Sequence, residues 1–289
     1  MRVLVTGAAG HIGGHVSAAL LAAGHELVLT DLLPVTEPRA ARVHTGDLQD
    51  PELVREAMAG AQAVVHLGAI PHPNDTDPST LFAHNCLTAH RVFEEAGRAG
   101  VRRVVAASSM AAVGLAWSPV PVSPSYVPLD EAHPSLLRDP YGLSKAALEE
   151  VARTAHRRWG LDAVCLRLPF TGTGDRLGRF LDACAADPAG QRHDLWGWLH
   201  TRDAAEAVRR ALEAELTGCH VVNVTAPDTT SALPSAELMA RHHPKVPLRA
   251  GLPDHSSLFD TAACTRLLGF TPRRTWRTAA HGRRKRNGA

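Results

Sequence analysis

A glycine-broken junction near the start constrains this chain more than anything else in it. Arg2-Val3-Leu4-Val5-Thr6 is a short, apolar, β-branched run, and it breaks at once into Gly7-Ala8-Ala9-Gly10-His11-Ile12-Gly13-Gly14. Val16, Leu20 and Leu21 then follow helical spacing until Gly24, and Glu26-Leu27-Val28-Leu29-Thr30 reads as a second strand closing on Asp31. Strand, glycine turn, helix and strand in this order suit a dinucleotide. Glycines let the backbone turn sharply and approach a pyrophosphate, while the helix N-terminus offers unpaired N–H groups and a positive dipole end. Gly7, Gly10, His11, Ile12 and Gly13 are the candidate contacts. An acid ending the second strand accepts hydrogen bonds from the adenosine ribose hydroxyls, and Asp31 stands 18 residues past Gly13. Its carboxylate would oppose a 2′-phosphate, so NAD rather than NADP is the expected cofactor; Arg39 and Arg42 would answer for the opposite preference.

The rest of the chain extends the same alternation. Val43 to Leu48 predicts a short third strand, Pro51 to Gly60 a helix, and Ala63 to Ala69 a buried strand ending in small residues, against which a flat ligand can lie. Thr80 to Gly100 predicts a long helix, Val101 to Ala107 a strand leading to Ser108-Ser109, and Asp162 to Leu168 another strand. Such alternation implies a parallel sheet with right-handed crossovers. The proline-rich stretch from Trp117 to Pro140 reads as too polar and broken for core, and as an active-site wall.

Tyr141 and Lys145 open a predicted helix running to Trp159. Four residues apart, they share one helix face, so the ammonium is expected to lower the phenol pKa and make it a usable base. A serine from a neighbouring strand end could hydrogen-bond the substrate oxygen.

Taken together, Thr6 to Gly13, Asp31, Gly46-Asp47-Leu48, His66-Leu67-Gly68-Ala69, Ser108-Ser109 and Tyr141-Gly142-Leu143-Ser144-Lys145 resemble the extended short-chain dehydrogenase/reductases, the NAD-dependent epimerase/dehydratase family. The resemblance runs from Met1 to about Arg273 and includes Pro128 to Glu131 and Trp198 to Asp203. It implies Tyr141 as acid/base, Lys145 on the nicotinamide ribose, and Ser109 orienting the substrate oxygen. It further implies that Asp47 and Leu48 meet the adenine, that Leu67, Gly68, Ala69 and Leu168 line the cofactor, and that Asn85, Met110 and Phe170 border the substrate.

Departures narrow the expectation. Met110-Ala111-Ala112 stands where sugar-nucleotide 4,6-dehydratases carry an acidic pair, and Phe170 lies near the position where nucleotide-sugar epimerases usually have asparagine. The short span from Phe170 to Trp198 suggests a small pocket for a free sugar, sugar acid or other compact polyol, similar to that of the uronate dehydrogenases. The alternatives are a nucleotide-sugar 4-epimerase and, in another class, a non-catalytic NAD-sensing protein.

The expected architecture is α/β: a Rossmann-type doubly wound parallel sheet with a small C-terminal substrate lobe. The NAD-binding core spans 1–168, the lobe 169–275 interleaved with late sheet elements over 199–224, and a basic, disordered tail 276–289. Ala204 to Leu216, Ser235 to His242 and Asp260 to Leu268 predict helices, and Cys219 to Val224 a strand. The five cysteines form no C-x-x-C pair and read as reduced thiols, and the 17 histidines, His242-His243 included, read as loop or surface residues rather than metal ligands. A net charge of +2 and the lack of a basic stripe with aromatics argue against nucleic acid. Met1 leads straight into a strand and no apolar stretch is long enough to span a membrane, so a cytoplasmic protein without a membrane partner is expected. The helices Thr80–Gly100 and Tyr141–Trp159 resemble those with which the family forms dimers, so a homodimer is expected too.

Overall fold

A computed structural model describes residues 1–74 and 76–278. Its elements, in order, are β1 (Arg2–Thr6), α1 (His11–Ala22), β2 (Glu26–Asp31), β3 (Arg42–Thr45), α2 (Pro51–Met58), β4 (Ala63–His66), α3 (Pro78–Arg98), β5 (Arg103–Ser109), α4 (Pro140–Trp159), β6 (Asp162–Leu168), β7 (Phe170–Gly172), α5 (Gly174–Ala186), β8 (Trp198–His200), α6 (Thr201–Glu213), β9 (Cys219–Asn223), α7 (Ser235–His242) and α8 (Ala262–Leu268).

Seven strands form one parallel sheet in the order β3-β2-β1-β4-β5-β6-β9, the doubly wound arrangement expected from the alternation. Because a parallel sheet is covered on both faces, its strands are apolar along their whole length. Val3 and Val5 face one core with Val16, Leu20 and Val208; Leu4, Val64 and Val104 face the other with Val54, Val92, Phe93 and Leu148. The strand order reverses between β1 and β4, which places the glycine turn after β1 at the crevice where such sheets take ligands. The helices bracketing the later part of the site are firmly started: the Asp77 side chain caps α3 at Thr80 N, 2.9 Å, and Asp139 caps α4 at Gly142 N, 2.7 Å.

The lobe departs from the expected boundaries. The Trp117 to Pro140 segment is part of its core, because Val127 and Leu129 are fully buried and bridge Leu248 and Phe259. Single apolar residues set among prolines carry no periodicity, so the burial leaves no trace in the sequence. The α8 helix instead belongs with the sheet: Cys264 and Leu268 pack with Ala204 to Leu212 of α6. Trp276 and Arg277, expected in the tail, are held by the lobe. The Trp276 indole donates to Thr229 O, 2.9 Å, and the Arg277 guanidinium pairs with Asp228. Residues 279–289, which carry the basic run, lie outside the described residues.

His243 is buried rather than superficial, held by Ser123 Oγ, 2.9 Å, and Arg192 O, 3.0 Å. All five cysteines are free thiols. No helix among the described residues is long and apolar enough to cross a membrane.

Candidate active site

A cavity of about 1070 Å³ opens at the carboxyl ends of β1, β2, β4, β5 and β6 and is closed by the lobe. Its cradle follows from the glycines. Gly7 has φ +70°, and a Cβ there would lie 2.7 Å from Gly68 N and the Leu67 carbonyl carbon, while one on Gly13 would run into the Gly7 carbonyl. The bare backbone therefore lets β1, β4 and α1 close on one another. No side chain caps α1, so its first-turn amides face the cavity's end. Asp31 accepts from Ala9 N, 2.9 Å, and Leu33 N, 3.0 Å, and Asp47 accepts from Gln49 N, 2.8 Å. Beneath the cradle the Thr6 hydroxyl bonds His66 Nδ1, 2.8 Å, and accepts from Gly68 N, 3.1 Å. Burial pushes the His66 imidazole down to about 3, so this brace is neutral.

Gly7, Gly10, His11, Ile12, Gly13, Asp31, Asp47 and Leu48 line one end of the cavity; Leu67, Gly68, Ala69, Leu168, Ser109, Met110, Tyr141, Lys145 and Phe170 line the rest. Asn85 does not. It is buried, accepts from Ile70 N, 2.8 Å, and donates to Ile70 O, 3.1 Å, and Ser144 Oγ, 3.2 Å. Its amide thus ties the loop after β4 to the start of α4, and the expected substrate contact is replaced by a brace.

Ser109 ends β5, and Tyr141 and Lys145 stand on the first turns of α4. The Ser109 hydroxyl, which accepts from Ala111 N at 3.1 Å, lies near enough to the Tyr141 phenol to pull its pKa down, and Lys145 Nζ donates to Ala107 O, 3.0 Å, 5.8 Å from the centre of the Tyr141 ring. The phenol pKa moves opposite to expectation. Burial pushes it up to about 12, against a smaller downward pull from Ser109. Burial also brings Lys145 down to about 8. The spacing of four brings the two side chains onto one face, but desolvation sets the direction of both shifts. A buried phenol near a serine hydroxyl and beside a lysine can pass a proton to and from an alcohol oxygen in the cavity.

The lobe adds lining residues that have no counterpart among the expected ones. Arg176 and Phe180 come from α5, and Gln191 and Asp194 from the 3-10 turn that follows it. Phe180 stacks on Phe170 with centroids 3.6 Å apart, and Arg176 lies over the Phe170 ring while its Nε donates to Thr171 O, 3.1 Å. The apolar spacing of α5 could have revealed the helix, but not the fold-back that brings it over the cavity. Among the described residues no group of three or more His, Cys, Asp or Glu side chains is placed to hold a metal ion.

Comparison with known proteins agrees with this geometry. The model of the NAD dependent epimerase/dehydratase family matches residues 3–225. A UDP-glucose 4-epimerase of Lacticaseibacillus casei is 31% identical over 176 residues, covering 58% of this chain and 50% of that protein. An L-arabinose 1-dehydrogenase (NAD(P)(+)) of Haloferax volcanii is 29% identical over 222 residues, covering 74% and 84%. The crystal structure of a short-chain dehydrogenase/reductase superfamily protein from Agrobacterium tumefaciens with bound NAD superposes with a TM-score of 0.73 at 25% identity, covering 99% of this chain and 98% of that one. The chain spans 50 to 54% of the length of these UDP-glucose 4-epimerase relatives.

Proposed function

The chain belongs to the NAD dependent epimerase/dehydratase family, and from that premise we propose that it oxidises or epimerises a secondary alcohol of a free sugar or sugar derivative. The observation that carries this reading is the trio Ser109, Tyr141 and Lys145 set in the wall of the same cavity that the glycine cradle opens.

NAD fits the cradle: the space a Cβ would fill at Gly7 and Gly13, the uncapped amides of α1 and the Asp31 carboxylate match a pyrophosphate followed by a ribose. When bound, it supplies the hydride acceptor and a cationic ring whose charge favours the phenolate. Tyr141 takes the proton of the substrate hydroxyl, or returns it in the reverse direction. Ser109 holds that oxygen against the phenol. Lys145 would hold a ribose hydroxyl of the bound cofactor and keep positive charge beside Tyr141. Leu67 to Ala69, Met110, Leu168 and the Phe170–Phe180 stack give apolar walls that exclude water.

A screen of free sugars, uronates and nucleotide sugars with NAD, read as growth of the reduced nicotinamide absorbance, tests the proposal. Net NADH marks a dehydrogenase; product with the cofactor retained marks an epimerase, the second reading, which the UDP-glucose 4-epimerase relatives favour. An intact proton path weighs against a purely NAD-sensing role. Leu87 of α3 and Leu143 and Trp159 of α4 remain exposed on adjacent helices, which supports a homodimer through that face.

A further inference from the structure

Beyond the reacting carbon, the cavity carries a carboxylate that the protein itself does not satisfy. Asp194 ends the 3-10 turn Gly190–Asp194 and opens onto the cavity, and among the described residues its side chain has no hydrogen-bond donor and no cation. The residue is exposed in the wall of the open cavity, and the protein atoms packed around its carboxyl push it up to about 7. Arg176, a cation that also lines the cavity, stands within electrostatic reach of His11 at the glycine loop.

The backbone is bent to keep Asp194 there. Leu195 and Trp196 follow with φ +48° and +52°, a left-handed pair without glycine, and both side chains are completely buried in the lobe core. Trp196 Nε1 donates to Pro188 O, 2.7 Å, Thr230 N donates to Trp196 O, 3.0 Å, and Gly197 N donates to Asp194 O, 2.9 Å. Two residues in a disfavoured conformation persist only where the surroundings over-determine them, and such strain gathers at ligand sites. Here its outcome is to drive the two apolar side chains inward and leave the acid facing the cavity.

A carboxylate in this position needs donors from whatever enters. Its two oxygens suit the O–H groups of neighbouring carbons, whereas a phosphate or second carboxylate would meet like charge whenever the group is ionised, above about pH 7. Resting on the proposed function above, we propose that Asp194 determines substrate specificity by accepting hydrogen bonds from neighbouring hydroxyls of a free sugar and by excluding the diphosphate of a nucleotide sugar.

The test uses full-length enzyme and the variants Asp194→Asn and Asp194→Ala. Turnover is measured with L-arabinose, D-galactose and UDP-glucose, and binding of the same compounds to NADH-loaded enzyme by calorimetry. The wild type is expected to prefer a free sugar. Both variants should raise its KM or dissociation constant about tenfold with kcat changed far less and NADH affinity unchanged. Inhibition by uridine diphosphate should strengthen in both, a response to lost charge that a merely structural role would not produce. Wild-type preference for UDP-glucose, or variants within about twofold of wild type on the free sugar, overturns the assignment while leaving the redox reading standing. No turnover and no binding of these compounds or of any free sugar, uronate or nucleotide sugar in the screen overturns both.

Discussion

Glu149 and Arg167 form a two-pronged ion pair beneath α4, Nε to Oε1 at 2.8 Å and Nη2 to Oε2 at 2.9 Å, with both side chains nearly inaccessible. Ser108 Oγ donates to the same carboxylate at 2.7 Å, so one group on α4 holds the ends of β5 and β6. Lys145 lies one turn before Glu149 and Ser109 directly after Ser108, which makes the pair a positioning device for the site.

Removing one partner leaves the other charged and buried, which costs about 3–5 kcal/mol. Glu149→Gln and Arg167→Met are each expected to lower stability by that order in urea unfolding and to reduce kcat. A double replacement should recover part of the loss, because it removes the uncompensated charge.

Lys145 makes the stability of the cofactor-free protein depend on pH with a defined sign. Its folded-state pKa, about 8, lies below the ordinary 10.5, so between these values the unfolded chain binds more protons and stability rises with pH. Above about 10 the effect of Tyr141 opposes it, since its folded-state value is near 12 and the unfolded phenol loses its proton first. The rise is therefore expected between pH 8 and 10. Its upper bound is about 3 kcal/mol, at about 1.4 kcal/mol per unit. Lys145→Met should flatten that segment of the stability–pH curve, as read by thermal unfolding.

Asp31 sets the expected preference for NAD. Arg39 is engaged by Glu37 at 2.9 and 3.0 Å, so its charge is already paired and is not held for a 2′-phosphate. Asp31→Ser, which keeps an acceptor for Ala9 N, is expected to raise the NADP-to-NAD ratio of kcat/KM by about tenfold or more, as one lost like-charge contact would. An unchanged ratio in steady-state assays would assign the choice to other groups.

How much of this could be read from the chain depends on how local each device is. The glycine cradle and Asp31 were legible because strand, turn, helix and strand are consecutive, and the requirement for bare backbone shows as residue type. Tyr141 and Lys145 were legible as a helix-face pair, but not the direction of the phenol pKa, since spacing reports proximity and says nothing of burial. Val127 and Leu129 were hidden among prolines. Arg176, Phe180 and Asp194 were invisible as site residues, because they reach the cavity only after α5 and its following turn fold back over β7. Asn85 was placed in the right neighbourhood with the wrong partner: its amide spends itself on Ile70 and Ser144.

The most direct measurement is the turnover of Tyr141→Phe with the sugar that the screen identifies, beside its dissociation constant for NAD. Loss of the phenol oxygen removes the proton acceptor and little else from the cavity wall. Turnover should fall by about 10²–10⁴, the usual worth of a positioned acid/base, with NAD affinity nearly unchanged. A variant that turns over at the wild-type rate would contradict the assignment of this cavity as the site of a tyrosine-dependent redox reaction.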